Sequence, residues 1–126
     1  MANILLIDDM KGVRQALAAV LKRAGHTITE ADDGKVALEI LKTDRRFDLV
    51  ITDILMPTTD GIEVVMYLDS LPHRPPVLAI SGGGSQIPAD SALVLVKTKA
   101  DAALAKPFDN SELLAAVDKL LRPRKK

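Results

Sequence analysis

The sequence of 126 residues contains no cysteine and only three aromatic residues, Phe47, Tyr67 and Phe108. The lack of cysteine excludes disulfide bonds, thiolate metal sites and thiol catalysis, and it fits a reducing compartment. The scarcity of aromatic side chains argues against a surface that stacks nucleic-acid bases. A hydrophobic core in this chain must therefore be built mainly from aliphatic residues.

The chain also lacks an excess of charge of either sign, because 17 basic residues balance 17 acidic ones. A neutral domain exerts no overall attraction on nucleic acid or on an anionic membrane, so we expect no direct DNA binding. No apolar run reaches the roughly 20 residues of a membrane span, and the first residues lack the basic region of a signal peptide. We therefore expect a cytoplasmic, single-domain protein without membrane insertion.

Five apolar segments of strand length alternate with five helical patterns along the chain. The predicted strands cover residues 3–7, 26–31, 48–53, 77–80 and 102–105, and the predicted helices about 13–24, 34–41, 61–70, 88–98 and 109–121. This alternation predicts an α/β domain with a parallel sheet covered by helices on both faces. We assign residues 1–121 to this domain and residues 122–126 to a short basic tail that we expect to be disordered.

Polar residues stand at the carboxyl ends of four of the predicted strands. Asp8 and Asp9 follow the first strand, Asp53 ends the third, Ser81 follows the fourth and Lys106 follows the fifth. Each alone has an ordinary explanation as a helix cap, a turn residue or a surface charge. Because the carboxyl ends of parallel strands lie at one edge of a sheet, the four positions together predict one site.

The residue types in this predicted site indicate its chemistry. Three crowded carboxylates repel one another unless a cation joins them, and Mg²⁺ prefers a few carboxylate oxygens together with water. One carboxylate, which we assign to Asp53, can then act as a nucleophile and form an aspartyl phosphate. The metal and Lys106 would stabilise charge on the phosphoryl oxygens, and Ser81 would donate a hydrogen bond to the phosphoryl group.

Over nearly its whole length the chain resembles the receiver domains of bacterial two-component response regulators. Any one of the matching motifs is weak, but four in this order and spacing are specific. They are Ile-Leu-Leu-Ile-Asp8-Asp9, Asp53-Ile-Leu-Met-Pro-Thr-Thr-Asp-Gly61, Ile80-Ser81-Gly82 and Lys106-Pro107-Phe108. The resemblance implies a doubly wound, five-stranded parallel sheet of order 2-1-3-4-5 with five helices, in a flavodoxin-like three-layer sandwich.

The resemblance also implies a role for each site residue. Asp53 would be the phosphoacceptor, taking the group from a histidine kinase or a histidine phosphotransfer protein. Asp9 and Asp53 would bind Mg²⁺ or Mn²⁺ directly with the backbone carbonyl of Leu55, Asp8 would act through water, and Lys106 would contact the phosphoryl group. Such a protein is not an enzyme toward other substrates, since it catalyses only its own phosphorylation and dephosphorylation. It signals by phosphorylation-dependent contact with a downstream protein.

One position departs from the family pattern. Receiver domains commonly carry Tyr or Phe three residues before the lysine of the fifth strand, and here that position is Ala103. A methyl group has no rotamer to switch, which favours an altered output, although Ala103 can equally be a small residue that only faces a helix. The usual output surface of fourth helix, fifth strand and fifth helix is where we expect site occupancy to act.

Several functions remain open at this point. The chain leaves no room for an effector domain after Leu121, so we expect a stand-alone response regulator. A phosphate shuttle or sink uses the same chemistry, and a constitutive pseudo-receiver would use none of it. A phosphohydrolase with an aspartyl intermediate is disfavoured, because Met10 and Lys11 follow Asp9 where such enzymes carry an Asp-x-Asp pattern.

Overall fold

A computed structural model describes residues 2–43, 46–53, 61–72, 74–81, 101–105 and 108–122. Within these ranges the chain forms five strands and four helices. In chain order they are β1 (Asn3–Ile7), α1 (Lys11–Arg23), β2 (Thr27–Ala31), α2 (Gly34–Thr43), β3 (Leu49–Asp53), α3 (Gly61–Asp69), β4 (Val77–Ser81), β5 (Ala102–Ala105) and α4 (Asn110–Leu121). The predicted helix at about 88–98 and tail residues 123–126 lie outside the described residues.

The five strands form one parallel sheet in the order β2-β1-β3-β4-β5. The predicted parallel sheet and its strand order are thus confirmed. All five residues of β3 are buried, as expected for a central strand that begins with the apolar run Leu-Val-Ile. β2 lies at one edge, and its first four residues are partly or fully exposed, as their mixed polarity predicts.

Hydrophobic residues cover both faces of the sheet, because successive residues of a strand point to opposite sides. On one face, Leu6 and Ile51 belong to a buried cluster with residues of α1 and α4. On the other face, Leu5 and Val50 belong to a second cluster with residues of α2 and α3. The structure is therefore the predicted three-layer sandwich. None of the described helices is both long enough and apolar enough to cross a bilayer.

Two local signals in the sequence have the structural role that they predict. Gly25 follows α1 with φ of 100°, and its N–H donates to the carbonyl of Lys22 at 2.9 Å. This left-handed conformation favours glycine and ends the helix. At the start of α4, the Asp109 carboxylate accepts from the Glu112 N–H at 2.8 Å, and the Glu112 carboxylate accepts from the Asp109 N–H at 3.0 Å. These two reciprocal hydrogen bonds form a capping box.

Candidate functional site

The fold brings together the three acidic residues that follow or end β1 and β3. These strands are direct neighbours, and Ile7 pairs with Thr52, so the chain positions of Asp8 and Asp53 come next to each other at the carboxyl edge of the sheet. One carboxylate oxygen from each of Asp8, Asp9 and Asp53 lies within 4.8 Å of the other two. In the part of the chain that the structure describes, no other group of three metal-binding side chains meets this distance.

The three acids, called here the acidic cluster, differ in exposure. Asp8 is only 1% exposed and Asp53 only 4%, while Asp9 is the most accessible of the three. Placing two carboxylates close together and away from water is unfavourable unless hydrogen bonds or a cation compensate the charge. A divalent cation bound by the three carboxylates would supply such compensation.

Asp8 is held in place by its backbone and its side chain. Its N–H donates to the carbonyl of Ala31 at the end of β2 at 3.1 Å. Its Oδ1 accepts from the N–H of Met10 at 2.9 Å, and its carbonyl accepts from Nη1 of Arg14 at 2.8 Å. The loop between β1 and α1 is consequently tied both to the neighbouring strand and to the first turn of the helix.

Sequence reasoning did not identify Arg14 or its partner Glu30, which accepts from the Arg14 Nε at 2.8 Å. The sequence indicated Arg14 only as a basic residue beside the apolar stripe of Val13 and Leu17 on the first helix. That signal does not indicate which carboxylate of the chain the arginine contacts.

The remaining predicted site residues are described only in part. Ser81 is the last residue of β4, where its backbone pairs with Ala105, one position beyond the pair of Asp53 with Ile80. Lys106 and Leu55 lie outside the described residues. The roles assigned to these residues from the sequence stay predictions.

The acidic cluster fits Mg²⁺ or Mn²⁺ by its chemistry and its size. Oxygens are the ligands that Mg²⁺ prefers, at about 2.1 Å, so two direct ligands lie at most about 4.2 Å apart. The oxygens of the acidic cluster lie within 4.8 Å of one another, which is close to this span. Which of the three acids would bind directly and which through water stays a prediction.

Comparison with known proteins finds the same combination of fold and sequence elsewhere. The family model for the response regulator receiver domain matches residues 4–118. The response regulator MprA of Mycobacterium ulcerans is 37% identical over 123 residues, which is 98% of this chain and 51% of that protein. The transcriptional regulatory protein CpxR of Escherichia coli is 35% identical over 122 residues, 97% of this chain and 50% of that protein. The chain thus spans about half the length of these curated relatives.

A solved structure with a bound metal is also similar. The response regulator protein TrrA from Thermotoga maritima, in complex with Mg(2+)-BeF, has a TM-score of 0.80 and 30% sequence identity. The similarity covers 96% of this chain and 100% of that one.

Proposed function

This chain belongs to the response regulator receiver domain family, and from this premise we propose that Asp53 accepts a phosphoryl group. The donor is a phosphorylated histidine of a histidine kinase or of a histidine phosphotransfer protein. The observation that carries the proposal is the placement of the buried Asp53 carboxylate within 4.8 Å of Asp8 and Asp9. A nucleophilic carboxylate beside two metal-binding ones is the arrangement that phosphoryl transfer to an aspartate requires.

In the proposed reaction a carboxylate oxygen of Asp53 attacks the phosphorus of the phosphohistidine. The new bond is P–O, the bond that breaks is P–N, and the leaving imidazole of the donor takes up a proton. Asp9, Asp53 and the Leu55 carbonyl would hold Mg²⁺ or Mn²⁺ directly, and Asp8 would act through water. A bound divalent cation supplies positive charge for the phosphoryl oxygens.

Two further residues complete the proposed site. Lys106 would contact the phosphoryl oxygens, and Ser81 would donate a hydrogen bond to the phosphoryl group once it is on Asp53. Both assignments come from the family resemblance. Hydrolysis of the aspartyl phosphate returns Asp53 to its free carboxylate and completes the cycle. We propose no reaction on other substrates.

We propose that phosphorylation acts by changing the affinity of this domain for a downstream protein in the cytoplasm. Phosphorylation shifts the population toward one conformation only if that conformation holds the phosphoryl group better than the other. We propose that the 126 residues of this chain act as a stand-alone regulator and do not bind DNA directly. CpxR, a transcriptional regulatory protein, matches over half of its own length.

A phosphate shuttle or sink is a second candidate, and the surroundings of Ala103 favour it. Ala103 in β5 pairs with Ala79 in β4, so each of the two paired residues has only a methyl group as its side chain. Neither residue has a side-chain rotamer that can change with the state of Asp53. A domain that only passes the phosphoryl group on does not need such a change.

The proposal is tested by intact-mass analysis of the protein after incubation with acetyl phosphate or phosphoramidate, with and without Mg²⁺. We expect an added mass of one phosphoryl group that requires both Mg²⁺ and Asp53, so that the Asp53→Asn variant stays unmodified. An adduct in the Asp53→Asn variant would place the phosphoacceptor elsewhere. If neither small-molecule donor nor a phosphorylated phosphotransfer protein modifies the wild-type chain, the pseudo-receiver is the better description.

A further inference from the structure

Arg14 connects the edge strand β2 with the loop that carries Asp8 and Asp9. Its Nε donates to Oε1 of Glu30 at 2.8 Å, and its Nη1 donates to the backbone carbonyl of Asp8, also at 2.8 Å. The Arg14 side chain is only 12% exposed and that of Glu30 is 30% exposed. Because the guanidinium is planar and rigid, the position of Glu30 determines where the second donor meets the Asp8 carbonyl.

The Asp8 carbonyl is part of the peptide group that joins the first two acids of the cluster. A peptide group is planar, so a bond that holds its oxygen also orients the N–H and the Cα of Asp9. The Asp9 side chain makes no hydrogen bond or ion pair with another described residue. Its carboxylate therefore depends on its own backbone for its position beside Asp53.

We propose that Arg14 is a positioning residue of the metal site, which orients the Asp8–Asp9 peptide with Glu30 as its anchor. The inference rests on the proposed binding of Mg²⁺ or Mn²⁺ by the acidic cluster. Groups one step removed from the ligands commonly affect metal affinity by about 10- to 100-fold. Arg14 acts on the backbone between two acids of the cluster rather than on a ligand atom, so we place its effect at the low end of this range.

Two simpler explanations of the Arg14 contacts predict other results. If Arg14 acts only as a positive charge near the cluster, the metal responds to the sum of nearby charges. A substitution that keeps the charge would then leave the affinity unchanged. If the pair with Glu30 only stabilises the packing of α1 on β2, its loss would affect unfolding but not metal affinity.

The chain offers a matched control in a second arginine–carboxylate pair at the opposite edge of the sheet. Arg74 Nη1 donates to Oδ2 of Asp101 at 2.8 Å, with side chains 26% and 18% exposed. Asp101 also accepts from the N–H of Val77 at 2.8 Å, at the beginning of β4. This pair has the same N–O distance and a similar burial, but it lies before β4 and β5, far from the carboxyl ends of the strands.

The test is a titration of each full-length variant with Mn²⁺, followed by the electron paramagnetic resonance signal of the free ion. Arg14→Lys keeps the charge, but a single ammonium cannot occupy both donor positions, so we expect an about tenfold higher Kd for Mn²⁺. Glu30→Gln removes a negative charge but keeps an acceptor oxygen, and Arg74→Gln breaks the remote pair. For both we expect a Kd within about twofold of wild type. Urea unfolding without metal is measured in parallel.

Three outcomes would overturn the inference. In the first, Arg14→Lys binds Mn²⁺ with the wild-type Kd. In the second, the Kd of Glu30→Gln rises more than that of Arg14→Lys, as a charge effect predicts. In the third, the Kd of Arg74→Gln rises as much as that of Arg14→Lys. Failure of the proposed function looks different. In that case the wild-type chain itself binds no Mn²⁺, or its affinity does not change in the Asp9→Asn variant, and the inference falls with it.

Discussion

Replacing Asp53 by Asn is expected to stabilise the protein when no divalent metal is present. The carboxylate oxygens of Asp8, Asp9 and Asp53 lie within 4.8 Å of one another. At that distance two unit charges repel by about 3.5 kcal/mol for an effective dielectric constant of about 20. Asn has nearly the same shape as Asp, so the substitution removes this repulsion without creating a cavity.

The net gain should be smaller than the pairwise repulsion. Asp53 takes part in at least one other interaction, so the repulsion is not the whole effect of the substitution. The greater exposure of Asp9 also screens its charge. We therefore expect the free energy of unfolding to rise by about 1–2 kcal/mol at pH 7 in the presence of a chelator.

Saturating Mg²⁺ should reverse the order of the two proteins. A ligand that binds only the folded state stabilises it by about 2.7 kcal/mol when its concentration is 100 times its Kd. The wild-type chain receives this stabilisation in full, whereas the Asp53→Asn variant lacks one of the charged ligands.

Urea unfolding with a chelator and with Mg²⁺ measures both effects. For a slope of about 2 kcal/mol per molar urea, the variant's midpoint should lie about 0.5–1 M higher without metal. Asp118→Asn is the control for the loss of one carboxylate charge, because Asp118 is exposed and its Oδ2 lies 4.0 Å from Nη2 of Arg122. Such an exposed pair contributes only about 0–1 kcal/mol. The reasoning is refuted if Asp53→Asn is no more stable than wild type without metal, or is equally more stable with and without Mg²⁺.

Three further predictions concern the fold. Ile51→Ala should lower the free energy of unfolding by about 3 kcal/mol, because Ile51 is fully buried in the central strand. If urea unfolding shows that Ile51→Ala lowers this free energy no more than Ile51→Val does, the assigned core is contradicted. Gly25→Ala should lower the same quantity by about 1 kcal/mol because φ is 100°, and an unchanged urea midpoint would speak against this conformation. The Ser111 hydroxyl and then the Glu112 N–H hold the pKa of Asp109 below its ordinary value of 3.8. Ionised Asp109 therefore stabilises the fold above the pKa that its carboxyl has in the unfolded chain, and this stabilisation is lost as pH falls through the lower pKa of the folded protein. An NMR titration of the carboxyl carbon measures the folded pKa, and a value above 3.8 would contradict the cap.

Much of the fold and the existence of the site follow from local sequence signals. The bounds of β1 and β5 were predicted correctly, because a charged residue ends each short apolar run, Asp8 after β1 and Lys106 after β5. The capping box of Asp109 and the glycine after α1 are local features that a few neighbouring residues determine. The acids at the ends of β1 and β3 could be predicted to meet, because all strands of a parallel sheet end at the same edge.

The contacts that organise the site depend on tertiary structure. The pairing of Ile7 with Thr52, which brings Asp8 beside Asp53, follows from β1 and β3 being neighbours in the sheet. The pair of Arg14 and Glu30 joins a helix and a strand 16 positions apart, and it forms only once α1 has packed beside β2. The sequence by itself determined which groups reach one edge of the sheet. The order of the strands in that sheet and the packing of helices on it decided which groups touch, because a contact between distant residues has no periodicity that a sequence displays.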